Sequence, residues 1–329
     1  MSGPAVRTGS AVDLLLDAGV LAATPTCEWQ GWSAVIAHSG IAILPWRAHA
    51  RAALAAAVGH QAEPPPSGAF QQAVVRIGKG RAATEADLAA AWQALAPGGR
   101  LLIVGTNDIG ISTWAKRLAA QIGVAGEVLA NRAHGRVVAF PRTAAVLPSP
   151  ASTVVPLPDG TPLQVAPGVF SGDGLDGGTR LLLQAIAELD LPADFCGKIV
   201  DVGCGAGHLG VAAARRWPAA AVTMLDADAR AVACARHNAH GYPITVAWWD
   251  DHDAWPVTDA DVALMNPPCH AGTSVDLSVA RRLFGLVDAR RLLVVANRQL
   301  AYEADLQRLG AVDCVAEDGR FKVLSVTRF

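Results

Sequence analysis

The chain has 329 residues, of which 52% are hydrophobic and only 17% are charged, so it can bury large cores and is not of the disordered class. Its net charge of −2 excludes a uniformly basic nucleic-acid-binding protein. No apolar run reaches the roughly 20 residues of a membrane span. Met1–Ser10 lacks the pattern of an export signal, so we expect a cytoplasmic protein without a membrane partner. The six cysteines form no CxxC pair, which predicts reduced thiols and no metal site.

The first half of the chain is basic and the second half is acidic. Residues 1–150 contain 12 Lys and Arg against 8 Asp and Glu, a net of +4. Residues 151–329 contain 15 against 21, a net of −6. A basic half is able to hold a polyanion, although ordinary variation of a mixed surface would give a similar difference.

The clearest predicted unit of the first half is a strand followed by a turn and a helix. Arg100–Gly105 is predicted as a strand that runs into Thr106–Gly110 and then into a helix through Leu118. Compared with residues 201–207, described below, this turn lacks the acid and two of the three glycines. We interpret it as a degenerate copy of the unit in the second half, with an unrelated α/β unit as the alternative.

A proline-rich segment separates the two halves. Six prolines between residues 142 and 168 predict a linker with at most one short strand. A chain of this length also favours two domains over one. The predicted organisation is a first domain at 1–145, a linker at 146–166 and a second domain at 167–329.

Strand and helix patterns alternate through the second half. This alternation predicts a mostly parallel sheet with helices on both faces. The predicted strands are 198–202, 221–226, 244–248, 262–265, 291–296 and 322–327, and the predicted helices are 208–217, 227–240, 275–286 and 302–309. Ligands bind such sheets at the carboxyl ends of the strands, which is where the polar motifs of this half lie.

A glycine-rich turn, Asp201-Val202-Gly203-Cys204-Gly205-Ala206-Gly207, follows the first of these strands. Its glycines allow a sharp turn and the close approach of a ligand, and the next helix begins with free N–H groups. The GxGxG spacing differs from the dinucleotide fingerprint, whose third glycine would stand where this chain has His208. Because Asp201 can meet an amino group but would oppose a pyrophosphate, the turn predicts a cofactor that carries an amino group.

Acids also end the next two strands. Asp226 is expected to accept both hydroxyls of a ribose, beside Ala227, or instead to cap the following helix. Asp250 is expected to accept from an adenine amino group, with two further acids close by as competitors. The competitors are Asp251 and Asp253, and the aromatic residues that could stack on adenine, or instead lie in the core, are Trp248 and Trp249.

Asn266-Pro267-Pro268 follows the fourth strand and is the most specific motif of the chain. Two prolines hold the backbone in an extended bend. The side-chain carbonyl of Asn266 and a nearby backbone carbonyl then form two acceptors in a constant geometry, which suits an NH₂ group. A cofactor turn combined with such a clamp predicts methyl transfer from S-adenosylmethionine to an amine, with a simple strand-ending turn as the alternative.

These motifs resemble those of class I S-adenosylmethionine-dependent methyltransferases, and more narrowly those of the small-subunit ribosomal RNA guanine-N2 methyltransferase C family. The resemblance covers nearly all of residues 167–329 and is weaker in residues 1–150, where it depends mainly on the turn near Gly105. The segments that carry it are Pro167–Ser171, Asp173–Asp176, Gly178-Thr179, Leu181–Leu183, Asp201–Gly207, Val295–Asn297 and Gly319–Val323.

The resemblance implies an α/β protein of two tandem Rossmann-like methyltransferase domains, with a mostly parallel seven-stranded sheet and helices on both faces. The first domain would be degenerate and help to hold RNA, and the second would bind the cofactor and catalyse. The implied reaction is methyl transfer to the exocyclic N2 of a guanine in 16S ribosomal RNA. Its substrate would be ribosomal RNA or an assembling small subunit, and the protein is predicted to be monomeric and free of metal.

The resemblance also implies roles for individual residues. The catalytic residues would be Asn266, Pro267 and Pro268. The cofactor-binding residues would be Asp173, Asp176, Thr179, Asp201, Gly203, Gly205, Gly207, Asp226, Ala227, Asp250 and Asn266. Where the family has an aromatic residue to stack on the target base, this chain has Cys269, followed by His270, and these two are predicted to contact the substrate.

Four other functions remain open at this point. A methyltransferase for a large-subunit ribosomal RNA guanine or for a protein glutamine would use the same clamp. A non-catalytic RNA-binding assembly protein is consistent with Cys269 and with Ala271, which replaces an acid of the family. An NAD-binding oxidoreductase is disfavoured by both the GxGxG spacing and Asn-Pro-Pro.

Overall fold

The computed structural model describes residues 20–22, 24–29, 66–132, 134–251, 253–268, 270–271, 274–275 and 277–328. The chain divides into two compact units, Met1–Ala151 and Ser152–Phe329. Among the described residues, no helix is both long and apolar enough to cross a membrane.

The second unit is built on a seven-stranded sheet. Its strands are β8 (Lys198–Val202), β9 (Ala221–Asp226), β10 (Ile244–Trp248), β11 (Ala260–Met265), β14 (Ala289–Asn297), β15 (Gly310–Glu317) and β16 (Phe321–Arg328). Their order in the sheet is β10-β9-β8-β11-β14-β16-β15. Strands β10, β9, β8, β11 and β14 are parallel, and β16 and β15 add an antiparallel hairpin at one edge.

Helices cover both faces of this sheet because the strands are apolar on both sides. Ile199 packs into a buried cluster on one face, with helices α3 (Gly177–Ala187) and α4 (His208–Arg216). The next residue, Val200, packs into a second buried cluster on the opposite face, with helix α6 (Ser278–Leu286). Near-continuous apolar strands of this kind are typical of parallel sheets that are buried on both faces. The helices are α3 (Gly177–Ala187), α4 (His208–Arg216), α5 (Ala229–Asn238), α6 (Ser278–Leu286) and the short α7 (Glu303–Leu306).

The structure adds elements that the sequence patterns did not predict. The predicted linker contains an antiparallel hairpin of β6 (Thr153–Pro156) and β7 (Pro162–Val165). The Asn238 side chain of α5 bonds both the N–H and the C=O of Gln164 in β7, at 2.9 and 2.8 Å, so the hairpin is held by the second unit. A further short hairpin pairs β12 (His270–Ala271) with β13 (Ser274–Val275).

The first unit contains a five-stranded sheet with the order β1-β2-β3-β5-β4. Strands β1, β2 and β3 are parallel, and β5 and β4 form an antiparallel hairpin beside β3. The elements described in this unit are β1 (Thr26–Glu28), β2 (Phe70–Arg76), α1 (Arg81–Ala94), β3 (Leu95–Thr106), α2 (Ile111–Ile122), β4 (Glu127–Arg132) and β5 (Gly135–Pro141).

The five strands of the first unit have the order and directions of β8, β11, β14, β16 and β15 in the second unit. The described strands of the first unit therefore repeat part of the second unit, which supports the predicted duplication. The predicted counterpart of the cofactor turn was wrong, however, because the strand that ends near Gly105 is β3, which occupies the place of β14. Several parallel strands of this fold, among them β8 and β9, run into a turn and a helix, so this local pattern could not identify the matching strand.

The strand of the first unit that matches β8 is β1. Its Glu28 pairs with Val74, as Asp201 pairs with Leu264, and both acids are buried. The chain continues from Glu28 with Trp29, Gln30, Gly31 and Trp32, so the glycines of the Asp201–Gly207 turn have been replaced. The first unit has thus kept the buried acid and lost the glycine spacing.

Candidate active site

The glycine turn connects β8 to α4 and is bound to the neighbouring strand β9. The backbone N–H groups of Gly203 and Cys204 both donate to the Leu225 carbonyl, at 2.8 and 2.9 Å. Gly203 has a φ of +72°, in the left-handed region that side chains other than glycine rarely adopt. A Cβ at this position would meet no atom of the described residues within 4 Å, so the space beside the turn is open to a ligand.

Asp226 links this turn to the start of α5. One carboxylate oxygen accepts from Gly205 N at 2.7 Å, and the other accepts from Asp228 N at 2.8 Å. The cap of α5 is Asp228, whose side chain accepts from Arg230 N, so the alternative role of Asp226 as the helix cap is wrong. Burial raises the pKa of Asp226 to about 6. Each of its oxygens keeps a second lone pair that a hydroxyl could use.

Asp201 is fully buried beneath the turn. Its Oδ2 accepts from Gly210 N of α4 at 2.8 Å, which holds the first turn of that helix against β8. Its Oδ1 is buried and has no hydrogen-bond partner among the residues that the structure describes. Burial, with a smaller contribution from the charge of Asp226, raises the pKa of Asp201 to about 7. One oxygen of this acid therefore serves the fold, and the other is an acceptor that a ligand could use.

The three acids that are candidates for the adenine contact, all in the loop after β10, differ in their surroundings. The Asp251 carboxylate forms an ion pair with Arg282, and the Asp253 carboxylate accepts from Asp250 N at 3.4 Å. The Asp250 side chain is buried. All three acids therefore lie together in the loop that follows β10.

The two tryptophans of this loop have different environments. Trp249 is buried in the core, where its ring packs edge-on against Trp255 at 5.4 Å between centroids. Trp248 is half-buried at the end of β10, and its indole N–H donates to the Ala227 carbonyl at 3.1 Å. Of the two candidates, Trp248 is the one whose side chain contacts Ala227 and is not fully buried.

Asn266 lies at the carboxyl end of β11, the strand next to β8, and two side chains of the α3 N-terminus bind it. Its Nδ2 donates to Thr179 Oγ1 at 2.9 Å and to Asp176 Oδ2 at 3.2 Å. Asp176 also caps α3 by accepting from Thr179 N at 3.0 Å. A carboxylate can only accept hydrogen bonds, so the amide nitrogen of Asn266 must face Asp176. The carbonyl oxygen Oδ1 then points away from α3.

The remaining predicted site residues are distributed as follows. Pro267 is buried and Pro268 is exposed, and neither has an N–H to continue the ladder of β11. Gly207 is the N-cap of α4. Asp173 is exposed and lines an open cleft with Thr153 and Arg180. Cys269 and the side chain of His270 lie outside the described residues.

Comparisons with known proteins match both units. The model of the methyltransferase small domain matches residues 161–325, and that of the methyltransferase small domain N-terminal family matches residues 36–127. Ribosomal RNA small subunit methyltransferase C of Pseudomonas paraeruginosa is 36% identical over 277 residues, covering 80% of this chain and 81% of that protein. The protein of the same name from Pseudomonas entomophila is 33% identical and covers 99% of this chain and 95% of its own. The chain belongs to the ribosomal RNA small subunit methyltransferase C family.

One solved structure supports the fold of this family over nearly the whole chain. It is a T. thermophilus 16S rRNA N2 methyltransferase in complex with AdoMet and guanosine. Its TM-score to this chain is 0.82 at 24% sequence identity, and the match covers 98% of this chain and 93% of that one. The prediction of two tandem α/β methyltransferase domains is thereby confirmed.

The methyltransferase C family uses S-adenosylmethionine, and two observations on this chain fit that cofactor. The buried Oδ1 of Asp201 lacks a donor within the described part of the protein, as expected of an acceptor that an ammonium group would satisfy. The open space at Gly203 is a place that a side chain would fill and that a closely bound ligand needs. Among the described residues, no group of three or more His, Cys, Asp or Glu side chains is placed to hold a metal ion.

The contact between α3 and Asn266 is the part of the site that the sequence did not indicate. Asp176 and Thr179 are expected near the amino-acid end of the cofactor, and the structure bonds both of them to Asn266 as well. These residues are 90 and 87 positions apart from Asn266 in the chain, so no local spacing could have indicated the contact.

Proposed function

We propose that this protein transfers a methyl group from S-adenosylmethionine to the exocyclic N2 amine of a guanine in small-subunit (16S) ribosomal RNA. Membership of the methyltransferase C family supports the reaction. The observation that carries the proposal is the orientation of Asn266. Its Oδ1 is held away from α3 at the carboxyl end of β11, next to the glycine turn at the end of β8.

In this proposal the cofactor is held at the carboxyl ends of β8, β9 and β10. Gly203, Gly205 and Gly207 keep the turn open, and Asp201 Oδ1 accepts from the ammonium group. Asp226, beside Ala227, accepts from the ribose hydroxyls. Asp250 accepts from the adenine amino group, and Trp248 stacks on the adenine ring. Asp173 is proposed to lie near the amino-acid end of the cofactor.

The protein contributes orientation to the reaction. When bound, S-adenosylmethionine supplies a methyl group on a sulfonium that is already activated for attack. Asn266 Oδ1 and the Pro267 carbonyl each accept one N–H of the guanine amine, which directs the nitrogen lone pair towards the methyl group. The amine can release its proton to water after transfer, so no general base is required. Placement of two reactants in a productive geometry can account for a large part of such a rate enhancement.

We assign Asp176 and Thr179 as positioning residues that prevent the Asn266 amide from turning over. Asp176→Asn removes the preference for one orientation of the Asn266 amide, because an amide at position 176 can either accept or donate a hydrogen bond. Asparagine also caps helices as well as aspartate does. We expect the kcat for methyl transfer to fall about 10-fold, the value of one hydrogen bond to a charged group, with cofactor affinity unchanged. Steady-state kinetics and calorimetry with S-adenosylmethionine measure the two effects.

Asp190→Asn, at an exposed position just beyond α3, is the matched control and should change neither quantity. The opposite pattern in Asp176→Asn, a weaker affinity for S-adenosylmethionine with kcat unchanged, would assign Asp176 to the cofactor and contradict the positioning role.

The remaining parts of the proposal concern partners and organisation. We propose that residues 167–329 catalyse, that residues 146–166 connect the domains and that residues 1–145 help to hold the RNA. The protein acts as a monomer in the cytoplasm, on ribosomal RNA in an assembling small subunit, and Cys269 and His270 contact the substrate.

Nucleoside mass spectrometry of small-subunit ribosomal RNA tests the proposed reaction. RNA from cells that lack the gene should contain one fewer N2-methylguanine than RNA from the parent strain. The purified protein with labelled S-adenosylmethionine should restore it on subunits from the deletion strain. Unchanged N2-methylguanine in the deletion strain, together with a methylated glutamine that disappears from a protein, would replace this proposal with its protein-directed alternative.

A further inference from the structure

The β6–β7 hairpin lies outside the seven-stranded sheet, but it is bonded to the helices α4 and α5 of the same unit. Besides the contact with Asn238 described above, the Cys234 sulfur of α5 accepts from Ala166 N, just beyond β7, at 3.2 Å. The His208 ring, at the start of α4, hydrogen-bonds the backbone of Val155 in β6. These two helices follow β8 and β9, so the hairpin is bonded to the elements that come directly after the proposed cofactor contacts.

Apolar packing also brings the hairpin to the glycine turn. Val155 of β6 and Val165 of β7 belong to one buried cluster with Ala206 of the turn. Within this cluster both Val165 and Ala206 are only 1% exposed. The hairpin therefore supports the turn at Ala206.

The Asn238 amide is the polar link between the hairpin and the turn. Its Nδ2 donates to the carbonyls of Ala206 and Gln164, both at 2.8 Å, and its Oδ1 accepts from Gln164 N at 2.9 Å. Because the Gln164 N–H can be satisfied only by an acceptor, the amide oxygen must face β7. One N–H of the amide is then bonded to β7, and the other is directed at the turn. The hairpin thus orients the Asn238 amide towards Ala206.

The Ala206 carbonyl needs a donor from outside α4. In an α-helix a carbonyl accepts from the N–H four residues later, which for Ala206 would be that of Gly210. The Gly210 N–H instead donates to Asp201 Oδ2 at 2.8 Å. Asn238 therefore supplies the donor that the contact of Asp201 with Gly210 withdraws from the Ala206 carbonyl.

The rest of the glycine turn is held from another side. The end of β9 binds the backbone N–H groups of Gly203, Cys204 and Gly205, as described above. Ala206 is the next residue, and its carbonyl is held by Asn238. Loss of Asn238 would therefore release the end of the turn that leads into α4 and leave its beginning in place.

We propose that Asn238 is a positioning residue for the cofactor, and that the β6–β7 hairpin, by orienting its amide, holds the glycine turn in the shape that binds S-adenosylmethionine. The inference rests on the proposed function for the place where the cofactor binds. A turn that already has its bound shape gives a higher affinity, because less conformational freedom is lost on binding. In this proposal the hairpin, which lies in the predicted linker, contributes to cofactor binding.

Asn238→Ala in the full-length protein tests the inference, because it removes the donor to Ala206 together with both contacts to Gln164. We expect calorimetry to show an affinity for S-adenosylmethionine that is at least about 10-fold weaker, the effect of one or two hydrogen bonds. The kcat at saturating cofactor should stay near the wild-type value, because the contacts of Asn266 are unchanged. Amide hydrogen exchange of residues 203–207 should become faster.

Ser325→Ala is the matched control, because it also removes a buried polar side chain. The Ser325 hydroxyl accepts from Arg291 Nε at 2.9 Å, on a strand that β11 and β14 separate from β8. Both variants should melt at a lower temperature, and only Asn238→Ala should lose cofactor affinity. Wild-type affinity in Asn238→Ala, or an equal loss of affinity in both variants, would overturn the positioning role.

Two further variants complete the test. Gln164→Pro lacks the N–H that donates to Asn238, so it should weaken cofactor binding in the same direction but less. Wild-type affinity in Gln164→Pro would overturn the part assigned to the hairpin. Asn238→Ser, whose shorter side chain keeps one hydroxyl, replaces Asn238→Ala if that variant does not fold, and it too should bind the cofactor more weakly than the wild type.

The same measurements separate this inference from the proposed function, because calorimetry with the cofactor requires no RNA. Weaker cofactor binding by Asn238→Ala, when the wild type transfers no methyl group to RNA, would contradict the reaction and leave the positioning role supported. Methyl transfer to N2 of guanine, with equal cofactor affinities of wild type and variant, would support the reaction and overturn the positioning role.

Discussion

Asn266→Ala is expected to reduce the rate of methyl transfer by about 100-fold or more, while affinity for S-adenosylmethionine falls far less. The substitution removes the acceptor that directs the amine lone pair, and misplacement of a reacting group by about 1 Å can cost a factor of this size. It also leaves Asp176 and Thr179 without the amide that they now bind. Single-turnover rates with small-subunit RNA, beside calorimetry with the cofactor, measure the two effects separately.

Asn297→Ala is the matched control for this prediction. Asn297 ends β14, the parallel strand next to β11, and its side-chain oxygen accepts from Gln299 N at 3.1 Å within its own loop. This variant should keep most of the transfer rate. Asn266→Asp provides a second comparison, because it keeps the shape and an acceptor but places a carboxylate against Asp176. We expect Asn266→Asp to be nearly inactive at neutral pH. Full activity of this variant would refute the orientation argued for the Asn266 amide.

The second large effect is expected at Gly203, where Gly203→Ala should weaken binding of S-adenosylmethionine by roughly 10- to 100-fold. A Cβ at this position enters the space that we assign to the cofactor, and overfilling a well-packed contact costs about 1–3 kcal/mol. The positive φ of +72° adds a strain of about 1–2 kcal/mol to the folded protein. Calorimetry measures the affinity, and thermal melting without ligand measures the strain.

Gly241→Ala separates these two consequences. Gly241 has a φ of +87°, and a Cβ added there would, as at Gly203, meet no described atom within 4 Å, but this glycine lies in the turn before β10. Both variants should therefore lose similar stability, and only Gly203→Ala should lose cofactor affinity. An equal loss of affinity in both variants would mean that the effect comes from strain in the fold, and it would remove Gly203 from the cofactor site.

The strands of the second unit show which features could be predicted locally. Lys198–Val202 and Ala221–Asp226 have the bounds expected from their apolar runs, because parallel strands that are buried on both faces are nearly continuously apolar. The strand β15, with the burial pattern Beieeeie, was missed because most of its residues are exposed. Its place in the sheet comes from pairing with β16, which the residues of β15 do not encode by themselves.

The site shows the same division between local and distant information. The glycine turn and Asn-Pro-Pro were identified from consecutive residues, because the backbone geometry that they impose is local. The sequence could not favour either Trp248 or Trp249 as the residue that stacks on adenine, since the two residues are adjacent and equally aromatic. The structure places Trp249 in the core against Trp255, which favours Trp248 for the proposed stacking on adenine.

By itself, the sequence determined the fold class, the family and the positions of the glycine turn and of the Asn-Pro-Pro motif. All of these depend on residue type at short spacing, which local periodicity and backbone geometry express directly. The tertiary structure alone decided that Asp176 and Thr179 bind Asn266. This contact depends on which elements of the fold become neighbours. That choice is made by burial of the whole sheet, since residues about 90 positions apart meet only once the chain has folded.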